Sequence, residues 1–126
     1  MILIVGGVGQ GKLAYALKQT GLSMDQVAFC PVDAGPERPI LAHLERWVRA
    51  TEAVEGPVED LLERCPEVVI LCDQVGCGVV PMAREERDWR ERVGRLCCAL
   101  AARADRVERL FCGLPQVLKG EKEKWN

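Results

Sequence analysis

Residues 1–13 read MILIVGGVGQGKL and join a continuous apolar run to a glycine-rich turn. The apolar run, residues 1–5, has no polar interruption, which is typical of a strand buried on both faces of a parallel sheet. Residues 12–20 then space their apolar side chains three and four apart, and Gly21 follows as a stop signal, which predicts a helix. A strand, a glycine-rich turn and a helix therefore form the first unit of the fold.

The turn matches the pattern G-x-x-x-x-G-K-[ST] of a P-loop at every position except the last. Its residues, called the phosphate loop below, are Gly6, Gly7, Val8, Gly9, Gln10, Gly11, Lys12 and Leu13. Such a turn can direct backbone N–H groups at an anion, and the positive helix end and the lysine ammonium add charge. Glycine-rich turns also occur in folds that bind no anion, but this context predicts binding of the phosphates of ATP or GTP.

Leu13 stands where the pattern has a Ser or Thr whose hydroxyl ligates Mg²⁺ beside a triphosphate. A leucine supplies no such oxygen, whereas the cradle of backbone amides and Lys12 does not depend on it. The sequence thus predicts phosphate binding. Mg²⁺-assisted transfer requires water or another side chain as the replacement ligand.

The rest of the chain alternates between strand and helix patterns. Apolar runs that end in polar, Gly or Pro residues predict strands at residues 27–31, 68–72 and 107–112. Apolar stripes predict helices at residues 41–52, from Gly56 onward and at 84–104, with a Pro- and Gly-rich loop at 32–39. Gly113 and Pro115 are expected to break the last strand, and a charged tail to follow.

This alternation indicates an α/β protein with right-handed crossovers. We expect a P-loop NTPase-like three-layer fold, a mostly parallel sheet of about four strands with helices on both faces. Residues 1–126 are long enough for one hydrophobic core, so a single nucleotide-binding domain is expected.

Composition limits the partners. The net charge is −2, with 48% hydrophobic and 29% charged residues, which favours neither nucleic acid nor an anionic membrane surface. The chain shows neither an apolar run long enough to insert into a membrane nor a secretory signal pattern, so a cytoplasmic protein is expected. The seven cysteines are odd in number and lie in apolar runs, which predicts mostly buried thiols rather than disulfides or a zinc site.

Two polar residues are candidates for chemistry. Asp73 follows the third predicted strand beside the phosphate loop, where it can hold Mg²⁺ through water or orient a nucleophile; otherwise it caps the strand end. His43 is the single histidine, and its imidazole, with an unperturbed pKa of about 6.5, can attack an α-phosphate at neutral pH. Otherwise it is a surface residue on an amphipathic helix.

Three segments resemble the CobU-type adenosylcobinamide kinase and adenosylcobinamide-phosphate guanylyltransferase family. The phosphate loop is the first. Residues 73–81 read DQVGCGVVP, where the family typically has N-E-V-G-x-G-I-V-P. The third segment is residues 87–119, in which the family's glycine-arginine, leucine-alanine, alanine-aspartate and glycine-leucine-proline positions fall in register at Gly94-Arg95, Leu100-Ala101, Ala104-Asp105 and Gly113-Leu114-Pro115.

The resemblance implies an enzyme of cobalamin biosynthesis that phosphorylates adenosylcobinamide and then transfers GMP from GTP through a guanylylated histidine. It also implies a homo-oligomer. This chain departs from the family in length, in Cys97-Cys98 for an Asn-Gln pair and in Gln74 for an acidic residue. It also has its Arg38-Pro39 pair before His43 rather than after it.

We therefore expect a shortened member of that family in which Lys12, Asp73 and His43 are catalytic and Asp73 also holds the metal. The nearly intact phosphate loop favours the kinase activity over the guanylyltransferase activity. The alternative is a catalytically degenerate nucleotide-binding or regulatory protein, which Leu13 and Gln74 motivate. The choice between ATP and GTP stays open.

Overall fold

A computed structural model describes residues 1–75, 83–121 and 125. Its helices are α1 (Lys12–Thr20), α2 (Leu44–Arg49), α3 (Glu55–Arg64) and α4 (Arg84–Arg103). Its strands are β1 (Ile2–Gly6), β2 (Val27–Ala28), β3 (Ile40–Leu41), β4 (Val69–Asp73), β5 (Arg106–Phe111) and β6 (Leu114–Lys119). The expected α/β alternation is confirmed.

The six strands form one sheet in the order β2-β3-β4-β1-β5-β6. Strands β1 to β5 are parallel, and β6 is antiparallel to β5. The expected mostly parallel sheet is thus confirmed, with six strands in place of about four. Because β1 is central, Gly6 at its end lies between Asp73 of β4 and Leu110 of β5.

Helices cover both faces of the sheet, as expected. On one face, α2, α3 and α4 pack apolar side chains such as Leu44, Leu61 and Leu100 into a core with Leu3 of β1. On the other face, α1 packs Ala16 against Ile4. Leu3 and Ile4 are neighbours in the chain and enter different cores, because successive strand side chains point to opposite faces. Whether residues 1–126 are one independent domain stays a prediction.

The predicted boundaries were wrong in the segment before α2. Strand β2 ends at Ala28 instead of continuing to residue 31. Residues 40–41, of which Leu41 was predicted to start a helix, form the buried strand β3. Helix α2 is consequently shorter than the predicted 41–52. A two-residue strand has no periodicity of its own, and Leu41 fits a helical stripe with Leu44 equally well; only pairing with β4 identifies it as strand.

The predicted end of the last strand before Gly113 is confirmed, but the expected charged tail was wrong at its start, because a sixth strand follows the turn. Phe111 of β5 pairs with Leu114 of β6, so Cys112 and Gly113 form a two-residue hairpin turn. Both turn residues have positive φ, 53° and 74°, as a type I′ hairpin turn requires. Pro115 is tolerated because β6 is an edge strand.

The cysteines are less buried than predicted. Of the six described cysteines, Cys65 and Cys72 are buried, two are intermediate, and Cys98 and Cys112 are exposed. The exposure of Cys112 follows from its place in the hairpin turn. Gly76, Cys77, Gly78 and Pro81, whose glycine and proline content predicts a loop passing close to a ligand or to a neighbouring subunit, lie outside the described residues. Among the residues that the structure describes, no helix has the length and apolar character needed to span a bilayer.

A buried carboxylate ties the phosphate-loop helix to the sheet. Glu108 of β5 is fully buried and accepts hydrogen bonds from the Tyr15 hydroxyl of α1, from Arg106 Nε at 2.9 Å and from Trp125 Nε1 at 2.6 Å. The Trp125 ring also packs edge-on against Tyr15, with ring centroids 5.9 Å apart. This network holds α1, and with it the start of the helix at Lys12, against β5.

The same network predicts an unusual tyrosine titration. Burial, and then the hydrogen bond and charge of Glu108, raise the pKa of Tyr15 from 10.0 to about 12. Because the folded pKa exceeds the unfolded value, this stabilisation is present below pH 10.0 and is lost as pH rises through about 12. Tyr15 is the single tyrosine, so tyrosinate absorbance of the native protein should report a midpoint near 12, and the urea-unfolded chain a midpoint near 10.0. A native midpoint equal to that of the unfolded chain would contradict the buried hydrogen bond.

Candidate functional site

A cleft of ≈ 200 Å³ lies at the carboxyl ends of β1 and β4, where ligands bind in open parallel sheets. Its lining includes Gly9, Gly11, Lys12, Leu13, His43, Arg46 and Asp73. A larger cleft of ≈ 390 Å³ lies at the opposite end, beside Met1, Glu67 and Asp105. We assign the chemistry to the smaller cleft because it contains the phosphate loop and the ends of the strands.

The phosphate loop has the backbone geometry that its glycines allow. Gly9 and Gly11 have φ of 72° and 86°, in the left-handed region that glycine enters without strain. A Cβ on Gly6 would lie 2.7 Å from the Leu110 carbonyl oxygen, so any larger residue there would push β1 away from β5. Gly9 and Gly11 therefore allow the chain to turn, and Gly6 allows β1 and β5 to pack closely.

Gln10 fastens the phosphate loop to the β5–β6 turn. Its backbone carbonyl accepts the Gly113 N–H at 3.0 Å, and its side-chain carbonyl accepts the Cys112 N–H at 2.6 Å. These two bonds bridge residues about a hundred positions apart in the chain. The tip of the loop is thus braced by a hairpin that the sequence did not predict.

Lys12 is buried and folded back over the start of the loop. Its Nζ donates to the carbonyls of Gly6 at 3.1 Å and Gly7 at 2.9 Å, and it forms an ion pair with Asp73 Oδ1 at 2.6 Å. Both partners of the ion pair are 8% exposed. The ammonium is therefore held at the mouth of the loop by oxygen atoms that an entering phosphate oxygen could replace.

Glu45 of α2 completes the carboxylate side of the cleft. It is 3% exposed, and its Oε1 accepts the Asp73 N–H at 2.9 Å. Its Oε2 is buried and has no hydrogen-bond partner among the described residues. The nearest basic nitrogen atoms among the described residues are His43 Nδ1 at 3.7 Å and Arg46 Nε at 3.8 Å, both beyond hydrogen-bond distance.

His43 lies at the turn between β3 and α2 in the left-handed conformation, with φ of 56° and ψ of 47°. Its ring stacks on Phe29, with centroids 6.0 Å apart and planes 13° apart. A non-glycine residue in this conformation is uncommon and costs strain of about 1 kcal/mol or more, so the surrounding packing holds it there. The side chain is 31% exposed and faces the cleft.

The three residues predicted as catalytic therefore meet around one cleft. Lys12 and Asp73 are in direct contact, and His43 reaches Asp73 through Glu45. Leu13 lines the cleft and packs on the core around Ala16, so it fills apolar space rather than offering a ligand. The catalytic and metal-binding roles stay predictions.

Sequence reasoning missed Glu45. The available signal was an acidic residue beside the apolar stripe of Leu44 and Val48, a position that becomes buried if the helix packs closely. Its partner Asp73 is 28 residues away, so the contact itself has no local signature.

Two thiols lie behind the site. Cys72 Sγ of β4 and Cys97 Sγ of α4 are 3.5 Å apart, and Cys72 immediately precedes Asp73 in the chain. The hydrogen bond between the two thiols, and then burial, raise the pKa of Cys72, whereas the same hydrogen bond lowers the pKa of Cys97. Cys97 takes the place of an Asn in the family pattern and still supplies a polar contact to the end of β4.

The family model described as cobinamide kinase / cobinamide phosphate guanyltransferase matches residues 37–118. This range contains His43, Glu45 and Asp73 and starts after the phosphate loop. Assignment of the loop therefore depends on its motif and its geometry.

Three curated relatives are similar over part of the chain. The bifunctional adenosylcobalamin biosynthesis protein CobP of Pseudomonas aeruginosa is 35% identical over 74 residues, 56% of this chain and 43% of the relative. Proteins of that description named CobU are 35% identical over 81 residues in Salmonella typhimurium and 33% over 72 residues in Escherichia coli. Those matches cover 60% and 54% of this chain, and 45% and 40% of the relatives. The chain spans less than half the length of these relatives.

Proposed function

The chain belongs to the cobinamide kinase / cobinamide phosphate guanyltransferase family, and from that membership we propose that it is a nucleotide-dependent transferase of cobalamin biosynthesis that phosphorylates adenosylcobinamide. The observation that carries the proposal is the contact of Lys12 with Asp73 at the mouth of the phosphate loop. Both side chains line one small cleft, which supports a role for the ammonium in phosphate binding and for the carboxylate at the acceptor.

In the proposed reaction the triphosphate of ATP or GTP enters the phosphate loop and takes the Lys12 ammonium from Asp73. The charge-assisted bonds to phosphate replace the bonds to the Gly6 and Gly7 carbonyls. The acceptor hydroxyl attacks the γ-phosphorus, the bond to the bridging β–γ oxygen breaks, and the nucleoside diphosphate leaves. Asp73, released from Lys12, accepts the hydroxyl proton.

The residues of this cleft fit a divalent cation, although Leu13 supplies no ligand. Asp73 and the unpartnered Oε2 of Glu45 provide carboxylate oxygens. Oxygen ligands of this kind suit Mg²⁺, which when bound neutralises charge on the transferring phosphoryl group. Asp73 is the residue we expect to hold it.

Guanylyl transfer through His43 is the second activity that the family description suggests. His43 lines the same cleft as Lys12, which favours this role. Its ring is stacked on Phe29, and its Nδ1 faces Glu45. The resemblance also implies a homo-oligomer, which stays a prediction.

A catalytically degenerate nucleotide-binding protein is the competing candidate. The observation that favours it is Leu13, which packs on the core where the P-loop pattern has a metal-ligating hydroxyl. Such a protein would bind nucleotide through Lys12 and transfer nothing.

The decisive assay follows γ-labelled ATP or GTP incubated with adenosylcobinamide and Mg²⁺. We expect label to move to the corrinoid, a chelator to stop the transfer, and Asp73→Asn to lose turnover by at least about a hundredfold, since a positioned base contributes on that order. The Asp73→Asn protein should still bind nucleotide, because Lys12 remains. Nucleotide binding by the wild type without any label transfer would support the degenerate binder instead.

A further inference from the structure

We propose that His43, Glu45 and Asp73 form a binding site for a divalent transition-metal ion, with one imidazole nitrogen and two carboxylate oxygens as ligands. The inference rests on the proposed function in using Asp73 as the cation ligand of the nucleotide cleft. It goes further in adding His43 as a nitrogen ligand and in assigning a transition metal rather than Mg²⁺ as the preferred ion.

The ligand atoms are already close together. One atom from each side chain lies within 4.8 Å of the others. Atoms that share one ion at about 2.0–2.2 Å lie roughly 3–4 Å apart, so small side-chain rotations complete the set. The ligands come from the turn before α2 and the end of β4, two elements joined by the hydrogen bond from Asp73 N–H to Glu45 Oε1.

The buried carboxylate of Glu45 gives independent support for a bound metal ion. Its carboxylate is almost fully buried, and Oε1 is satisfied while Oε2 has no hydrogen-bond partner among the described residues. Leaving a buried charged oxygen without a partner is costly, because the water it lost is not replaced. The 3.7 Å gap between this oxygen and His43 Nδ1 is the place where an ion would satisfy both.

The charges couple this site to the phosphate loop. Lys12 Nζ forms an ion pair with Asp73 Oδ1 at 2.6 Å and so neutralises the charge of this carboxylate. If a triphosphate draws the ammonium away, Asp73 and Glu45 are left as neighbouring buried carboxylates, and the exposed Arg46 lies 3.8 Å from Glu45 Oε2. A divalent ion then replaces the lost charge, so nucleotide and metal should bind cooperatively.

The donor set selects the class of metal. Mg²⁺ prefers all-oxygen octahedral surroundings and keeps its waters, whereas an imidazole nitrogen donor favours a transition metal such as Fe²⁺ or Zn²⁺. The left-handed backbone of His43 and the stacked Phe29 ring hold the His43 imidazole at the cleft. These residues thus offer a metal ligand in the same cleft that Leu13 lines without supplying one.

The test uses Mn²⁺ as the probe on the untagged wild-type protein, by electron paramagnetic resonance titration with and without GTP. His43 is the single histidine, so spin-echo modulation from a directly bound imidazole nitrogen can arise from no other residue. We expect that modulation, and Mn²⁺ affinity weakened at least about tenfold in Glu45→Gln and in His43→Ala. Glu52→Gln, an exposed glutamate of the following loop, is the matched control and should bind as the wild type.

The outcomes separate this inference from the proposed function. Nitrogen modulation that GTP leaves unchanged would support the metal site and count against the nucleotide cleft. GTP binding that depends on Lys12, with bound Mn²⁺ that shows no nitrogen modulation, would overturn the metal site and leave the transferase proposal standing. The wild-type spectrum alone decides the ligand, so the inference stays testable even if a variant does not fold.

Discussion

Replacing Lys12 by alanine is expected to weaken binding of GTP or ATP about 30- to 150-fold. The change removes a hydrogen bond between charged groups in a shielded cleft, worth about 2–3 kcal/mol. The measurement is calorimetric titration with each nucleotide, in Mg²⁺ and in chelator. Lys18→Ala, which removes an exposed lysine of the same helix, should leave the affinity unchanged.

Loss of Lys12 also leaves Asp73 buried without its counter-ion, and breaking a buried pair in this way costs about 3–5 kcal/mol of folding free energy. The double variant Lys12→Met with Asp73→Asn removes both charges and should recover much of that stability, while its nucleotide binding stays as weak as that of Lys12→Ala. Unaltered nucleotide affinity in a folded Lys12→Ala protein would overturn the assignment of the phosphate loop. Such a result would leave the fold untouched.

The second large effect is expected at Glu108. Glu108→Ala should lower the free energy of unfolding by about 3–5 kcal/mol, because it leaves the buried Arg106 guanidinium without its carboxylate. It also removes the acceptor of Tyr15 and Trp125. Urea unfolding measures the change, with Glu85→Ala, an exposed glutamate of α4, as the control near zero.

Replacing the whole pair distinguishes a buried charge from a general packing defect. Glu108→Leu combined with Arg106→Met keeps the volume and removes both charges, and such exchanges are often neutral or stabilising. We expect the double variant to recover the part of the loss that comes from the buried guanidinium, while the loss of the acceptor of Tyr15 and Trp125 remains. A loss below about 1 kcal/mol in Glu108→Ala would show that the network carries little stability.

Much of the candidate site could be predicted because its parts are local or lie at strand ends. The phosphate loop is a run of eight consecutive residues whose glycines and lysine have few other uses in that order. Asp73 was predictable because neighbouring parallel strands end at the same edge of the sheet, and β4 does pair with β1. The sequence therefore predicted that Lys12 and Asp73 lie at the same edge of the sheet.

Glu45 and the bracing of Gln10 could not be predicted in the same way. Glu45 is one of many acidic residues on helices, and its burial depends on α2 packing beside β4. Gln10 contacts Cys112 and Gly113 only because β5 returns beside β1 and then reverses into β6. Neither contact has a pattern that a short window of sequence contains.

By itself, the sequence determined the alternation of strands and helices, the glycine-rich turn with Lys12, and the family resemblance that the match over residues 37–118 supports. These features follow from backbone sterics and side-chain periodicity, which act over a few residues. The tertiary structure alone decided that residues 40–41 are a strand and that β6 closes the sheet. It also decided that Glu45 faces His43 with an unsatisfied oxygen. Those outcomes depend on which distant segments exclude water together, and burial of that kind is a property of the packed sheet rather than of any local run of residues.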